Sequence, residues 1–303
     1  MTIDTQPRQR STEGEVYDLG YQRFEGERSG PPQALRAIWR DSIRASLGLG
    51  RSLSSKLLPL GLIVLVLLPA VFVIVILGFF NSFTGGLDDV DLEGFSNREY
   101  FQLALVPLML YASMIGPEMF CPDRRSNVLV LYFTRPLTPM NYVAARWFGF
   151  LTVSTLVLWS PQLLLFATHA VIADSPADWA RDNLEIIPQA ALSGLILAAM
   201  LTSVALAVSS FTDRRPYAAG ATLGLLVLFS VVGEVLAELV SGSTGDYLEL
   251  IDLLQAVVNV NNWIFDDVQS GTPLSSWFYL ADVVAVIAIG WVVMWWRYRG
   301  AAE

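Results

Sequence analysis

Residues 57–80 read LLPLGLIVLVLLPAVFVIVILGFF, without one charged side chain. A helix rises 1.5 Å per residue, so about 20 residues cross a bilayer core of about 30 Å, and this run is long enough. Its apolar residues follow one another without two-residue alternation, which excludes a strand of an outer-membrane barrel. Backbone in lipid must satisfy its own hydrogen bonds, and that leaves a helix. Residues 100–118, 147–173, 186–211, 217–240 and 277–296 read the same way, the fifth extended through Glu234 and Glu238. The expected fold is therefore an all-α membrane protein with six transmembrane helices over residues 57–296. Composition agrees: 54% of residues are hydrophobic, 16% are charged and mean hydropathy is +0.50, unlike the balance of a soluble domain.

Six spans place residues 1–56, the 118–146 loop, the 212–216 turn and the 297–303 tail on one side. Of the 19 Lys and Arg residues, only Arg98 and Arg181 fall on the other. Basic loops stay inside, so both termini are expected in the cytoplasm. Acids lean outward, among them Asp88, Asp89, Asp91, Glu93, Asp174, Asp178, Asp182, Asp246, Asp266 and Asp267. The net charge of −9 thus describes the outer face. No basic patch on a folded soluble domain points to nucleic acid.

The first apolar run is too long for the core of a cleaved signal peptide and is expected to be retained as span one. Residues 1–30 are polar and rich in Gly, Glu, Arg and Gln, as in a disordered cytoplasmic arm. Pro31 and Pro32 then open residues 31–56. There Leu35, Ile38, Trp39, Ile43 and Leu47 recur every three or four positions, while Arg36, Arg40, Arg44 and Arg51 take other faces. This spacing predicts an amphipathic helix in the inner interface, its neighbours membrane lipids. Such a helix serves as an anchor, as a lever on a cytoplasmic partner, or as both. A single cysteine, Cys121, excludes an intrachain disulfide and a multi-cysteine metal site. His169 is the only histidine, and with no second histidine or nearby acid in sequence it reads as an interfacial aromatic and not a proton relay.

Residues 118–147, EMFCPDRRSNVLVLYFTRPLTPMNYVAARW, form a basic loop between spans two and three. Pro122 suits a first helical turn and Asp123 adds negative charge at that end. The residue before Pro136 is pushed out of the helical region, so the spacing predicts a short helix over Asp123–Phe133. Arg124 and Arg125 at its basic end suit acidic groups on a partner. Thr138 followed by Pro139 reads as a cap with proline at the first helical position, beginning the helix that enters span three.

The residues Asp123, Leu131, Tyr132, Arg135, Pro136, Leu137, Thr138, Tyr142, Val143 and Arg146 together form a pattern. It resembles the loop between spans two and three in permease subunits of type-two exporters of the ATP-binding cassette (ABC) class. The likeness extends to six spans, cytoplasmic termini, an amphipathic helix before span one and a long outer segment between spans five and six. Residues 17–26, YDLGYQRFEG, are also similar to the amino-terminal arm of one bacterial branch. Two departures stand out: Asn127 where glycine is common, and Arg146 in place of a frequent lysine. The resemblance implies residues 121–142 as a coupling element that docks on two separate ATPase subunits. It also implies a homodimer, or a heterodimer with a similar permease, in the cytoplasmic membrane of a bacterium or archaeon. ATP and Mg would be bound by the partner ATPase and no cofactor by this chain, with an amphiphilic or hydrophobic substrate exported.

The residues themselves support a separate ATPase. A phosphate-binding loop needs glycine-rich backbone followed by Gly-Lys-Ser/Thr, whereas the one lysine, Lys56, stands between Ser55 and Leu57. No HExxH and no Gly-Xaa-Ser-Xaa-Gly elbow occurs either, so the chain is not expected to be an enzyme. A secondary transporter or channel remains the alternative, although neither a repeat nor a central pair of acids supports it. The outer segment Ser241–Ser276 carries many apolar positions interrupted by Glu249, Asp252 and Asn259. It is expected to form short outer or re-entrant helices that cap the exit path, or else to pack plainly on the bundle end. Glu234 and Glu238, one helical turn apart, and Asp282 in span six are candidate exit-path groups, because a carboxylate in hydrocarbon must face protein or water.

Overall fold

Gly30 in an extended conformation followed by Pro31 and Pro32 at the first two helical positions starts helix α1, Pro31–Ser46. Proline at those positions loses no helical hydrogen bond and arrives with its φ already set. The computed structural model describes residues 30–49, 53–84, 97–129, 132, 137–173, 175–240, 243–265 and 274–302. The remainder of the arm expected over residues 1–30 lies outside them. Every regular element among the described residues is helical. After α1 come α2 (Leu53–Thr84), α3 (Asn97–Ile115), a 3-10 turn (Gly116–Glu118), α4 (Cys121–Arg125) and α5 (Pro139–Ile172). Then follow α6 (Pro176–Asp182), α7 (Ile186–Ser209), α8 (Arg215–Leu239), α9 (Ser243–Leu248), α10 (Leu253–Ile264) and α11 (Ser276–Tyr298).

Six helices are long and apolar enough to cross a membrane: Lys56–Ile76, Glu99–Arg125, Pro139–Ile172, Ile186–Ser209, Arg215–Leu239 and Ser276–Tyr298. They coincide with the six apolar runs, with shifted ends. The second continues to Arg125, past the expected end at residue 118, because Pro117 and Pro122 each take an early helical position and let the chain resume its turn. The third starts at Pro139, where Thr138 Oγ1 accepts a bond from the Asn141 amide at 3.3 Å, as the cap reading predicts.

Burial sorts the helices. Within the apolar windows of α3 and α7, 67% of residues are buried, against 22% in α2 and α11 and 17% in α8. Helix α7 takes the centre because Ala190, Ser193, Gly194, Ala198, Ala199 and Ser203 let neighbours approach closely. It touches α3, α5, α8, α10 and α11. The peripheral helices leave Leu57, Val64, Phe72, Leu228, Val231 and Val292 exposed. An apolar surface of that extent suits lipid and not water.

Helix α1 lies along α5. Ile38, Ser42 and Ser46 form its buried face, whereas Arg36, Arg40 and Arg44 are exposed. Gly149 makes the contact possible, since a Cβ there would collide with Ser42 and lie 3.0 Å from the Trp39 carbonyl oxygen. At the far end of the bundle, α10 packs against α3, α7, α8 and α11. Asp252 caps it, accepting from the amides of Leu254 and Gln255 at 3.0 Å each. Gly233 of α8 lies under that cap, where a Cβ would sit 2.8 Å from the Asp252 Cα.

The short helix expected over Asp123–Phe133 is interrupted, and its residues 130, 131 and 133 lie outside the described residues. Helix α4 ends at Arg125, and Asn127 follows with φ of 53°, the one non-glycine residue with positive φ among the described residues. Leu129 and Tyr132 are helical again, with the Tyr132 amide donating to the Val128 carbonyl at 3.2 Å. The Val128 amide donates to the Asp123 carbonyl and the Asn127 amide to the Arg124 carbonyl, each at 3.2 Å. This is the paired closure of a Schellman motif, which needs a left-handed residue just past the helix. Asparagine tolerates that conformation better than other residues with a side chain. The departure from glycine at position 127 is therefore conservative in backbone terms.

Candidate functional site

The α4 end of the bundle is organised around one buried guanidinium. Arg146, in the second turn of α5, is 3% exposed. Its Nη1 donates to Asp41 Oδ2 of α1 at 2.7 Å, and its Nη2 to Asp123 Oδ2 of α4 at 2.5 Å. Nη1 also lies 3.4 Å from Ser42 Oγ. Arginine suits this place better than lysine, because its planar fork serves two carboxylates on different elements at once. The Tyr142 hydroxyl donates to the same Asp123 oxygen at 2.7 Å, and the Arg146 guanidinium sits 5.7 Å from the Tyr142 ring centre.

Aromatic rings extend the node. Tyr142 meets Phe120 at 5.9 Å, Tyr132 at 5.8 Å and Tyr298 at 6.0 Å between ring centres. Tyr298 ends α11 and Phe120 precedes α4, so α1, α4, α5 and α11 converge on one cluster. Burial and the nearby Asp123 carboxylate push the Tyr132 phenol above its ordinary range, keeping it protonated. The turn between α7 and α8 is tied in by Arg215, 2.7 Å from Glu118, and by Cys121 Sγ, 3.4 Å from the Thr212 carbonyl. Arg297 Nε caps α7 through the Ser210 carbonyl at 3.3 Å. Arg125 is exposed, and Arg124 is half-buried with its Nη1 unpartnered among the described residues.

Of the residues marked in the sequence, the structure brings together Asp123, Tyr132, Tyr142 and Arg146. Thr138 caps the helix beneath them. Leu131, Arg135 and Pro136 lie outside the described residues. Asp123, Tyr142 and Arg146 bond to one another, which makes them supports of the loop, while beside them Arg125 is exposed and Arg124 is half-buried with its Nη1 closed to solvent. Asp41 was missed by sequence reasoning, although it is the one acid in α1 and a lone carboxylate on a basic helix is a usable signal. Nothing in sequence marks Tyr298.

At the opposite end, Glu234 and Glu238 border a cavity of about 490 Å³ between α3, α8 and α10. Glu249, Asp252 and Gln255 border it too. Glu249 is otherwise engaged by Tyr279 at 3.1 Å and Asn259 at 3.3 Å. Asp282 does not line this cavity; its Oδ2 is buried without a partner among the described residues. No group of His, Cys, Asp and Glu among the described residues has the arrangement of a metal site.

Six helices long and apolar enough to cross a membrane, with a braced loop between the second and third, define a multi-pass membrane protein. A family model described as ABC-2 family transporter protein matches residues 92–300. That is well over half of the chain, and the chain belongs to this family. No curated protein matches it.

Proposed function

We propose that the chain is the membrane-spanning permease subunit of an ABC exporter, moving an amphiphilic or hydrophobic substrate with ATP hydrolysed by two separate ATPase subunits. The complex contains a second permease, either the same chain or a similar one. Both termini face the cytoplasm of a bacterial or archaeal cell, so the α4 end is the inner end. The observation that carries this reading is the Arg146 node. A push on the α4 loop reaches spans two, three and six and the helix α1 together, because one guanidinium and one aromatic cluster join all four. A passive connector would not need such bracing. Arg124 and Arg125 beside the node then contact acidic groups of the ATPase.

The test is reconstitution. Purified chain alone hydrolyses no ATP, and activity appears only when the separate nucleotide-binding subunit is added. Sustained hydrolysis by a homogeneous preparation of the chain would defeat the reading. Orientation is checked by cysteine labelling of intact cells: Ser243→Cys reacts with an impermeant reagent from outside and Ser126→Cys does not. The reverse pattern rejects the orientation while leaving the ATPase requirement intact.

A further inference from the structure

Where α1 crosses α5, one groove remains open. Leu35 and Trp39 from α1 and Ala144 and Phe148 from α5 line a cavity of about 330 Å³, with Arg36 and Asn141 supplying its polar groups. Trp39 is 36% exposed and Phe148 53% exposed, so two large rings border an unfilled space. The uncharged run of α5 begins at Trp147, one residue before Phe148. The groove therefore opens at the depth where hydrocarbon gives way to headgroups.

Charge identifies the occupant. Arg36, Arg40 and Arg44 follow one another at four-residue spacing, a shift of about 40° per step on a helix, so they form one exposed stripe beside the groove. The one carboxylate of α1, Asp41, is two residues from Trp39, hence on the other flank, and it is held by Arg146. The groove side of α1 is thus cationic, with apolar rings below it. We propose that this groove is a binding site for an anionic phospholipid, one acyl chain lying on Trp39 and Phe148 and the phosphate held by Arg36 and Arg40. A zwitterionic headgroup offers a phosphate too, but its own ammonium offsets that charge beside two guanidinium groups, whereas an anionic headgroup keeps it. An acidic protein segment would have to cover Trp39 and Phe148 with apolar side chains as well, whereas one lipid molecule carries both chemistries. The site needs neither the ATPase nor a transported substrate, so it stands or falls apart from the permease reading.

Trp39 is its own reporter. The full chain is placed in symmetric nanodiscs containing acyl-brominated phosphatidylglycerol or phosphatidylcholine at equal mole fraction. The chain has 9 tryptophans, so the Trp39 signal is the difference between it and Trp39→Phe. The expected result is stronger quenching of Trp39 by the anionic lipid. Each of Arg36→Gln and Arg40→Gln weakens that preference by roughly fivefold in the lipid fraction needed, the effect of one basic group near an anionic surface. Arg36→Lys keeps it. Ala144→Leu fills the groove and lowers quenching by both lipids; should it fail to fold, the exposed arginine variants still decide. Equal quenching of Trp39 by the two lipids overturns the proposal, as does an unchanged preference in the double glutamine variant. If added ATPase subunit shields Trp39 from both lipids alike, the groove is a protein contact and the proposal is wrong.

Discussion

At the α4 end a single cation lies between two carboxylates, 2.7 Å from Asp41 and 2.5 Å from Asp123, and is almost closed to solvent. At the α10 end Glu234 and Glu238 share a cavity of about 490 Å³ with two further carboxylates and no basic lining residue. The contrast separates two uses of charge in one membrane protein. A buried pair holds elements in fixed relation, because removing one partner strands the other in low dielectric. Asp252 and Glu249 are bound to their own neighbours, whereas the exposed Glu234 and Glu238 add no such tie and set only the local potential. The α4 end is thus tied and the α10 end open.

The comparison breaks most readily at Arg146. Arg146→Met should cost about 3–5 kcal/mol, the usual penalty for orphaning a buried charge, whereas Glu234→Gln with Glu238→Gln should stay within about 0.5 kcal/mol. Thermal unfolding in one detergent compares them directly. Similar melting points for the two variants would mean that the α4 end is no more rigid than the other. Arg146→Lys should fall between, since one ammonium cannot bridge both acids in the same geometry.

Docking should respond next. Arg124→Glu with Arg125→Glu is expected to weaken ATPase association by roughly 2 kcal/mol, about thirtyfold, and Arg125→Glu alone, at an exposed position, to weaken it while leaving the melting point intact. Copurification with the ATPase subunit measures it. Arg299→Glu is the fitting control for general basic attraction, because Arg297 caps α7 and would confound the comparison. Equal loss from the double variant and the control would reduce the loop to a connector.

The smallest effect concerns the turn after α4. Asn127→Gly should be nearly neutral and Asn127→Val destabilising by about 1–2 kcal/mol, because a branched side chain resists positive φ. If both melt alike, the left-handed turn does not support the loop.

Much of the architecture was legible in sequence. Long uncharged runs have one solution in lipid, and the Thr138–Pro139 cap marks the start of α5 in the sequence itself. Ser175–Pro176 carries a similar signal for α6, but a segment of 7 residues shows no apolar period, and Ser175 makes no side-chain cap bond. The break within Asp123–Phe133 was hidden for a different reason. A stop at Pro136 was visible, but the interruption at Asn127 depends on a backbone conformation that asparagine permits without requiring. The Arg146 node was the least legible part. Motif resemblance marked Asp123, Tyr142 and Arg146, and their spacing could not reveal that they face one another, nor that Asp41 joins them from outside the motif.

The bond between Arg146 and Asp41 spans 105 positions of chain. During synthesis at about 5–20 residues per second, α1 therefore emerges roughly 5–20 s before the arginine that will hold it. Through that interval its buried face, with Ile38, Ser42 and Ser46, has no α5 to lie against. The order of translation thus gives α1 a first life as a lone surface helix, and assembly of the α4 end waits for the third span to arrive.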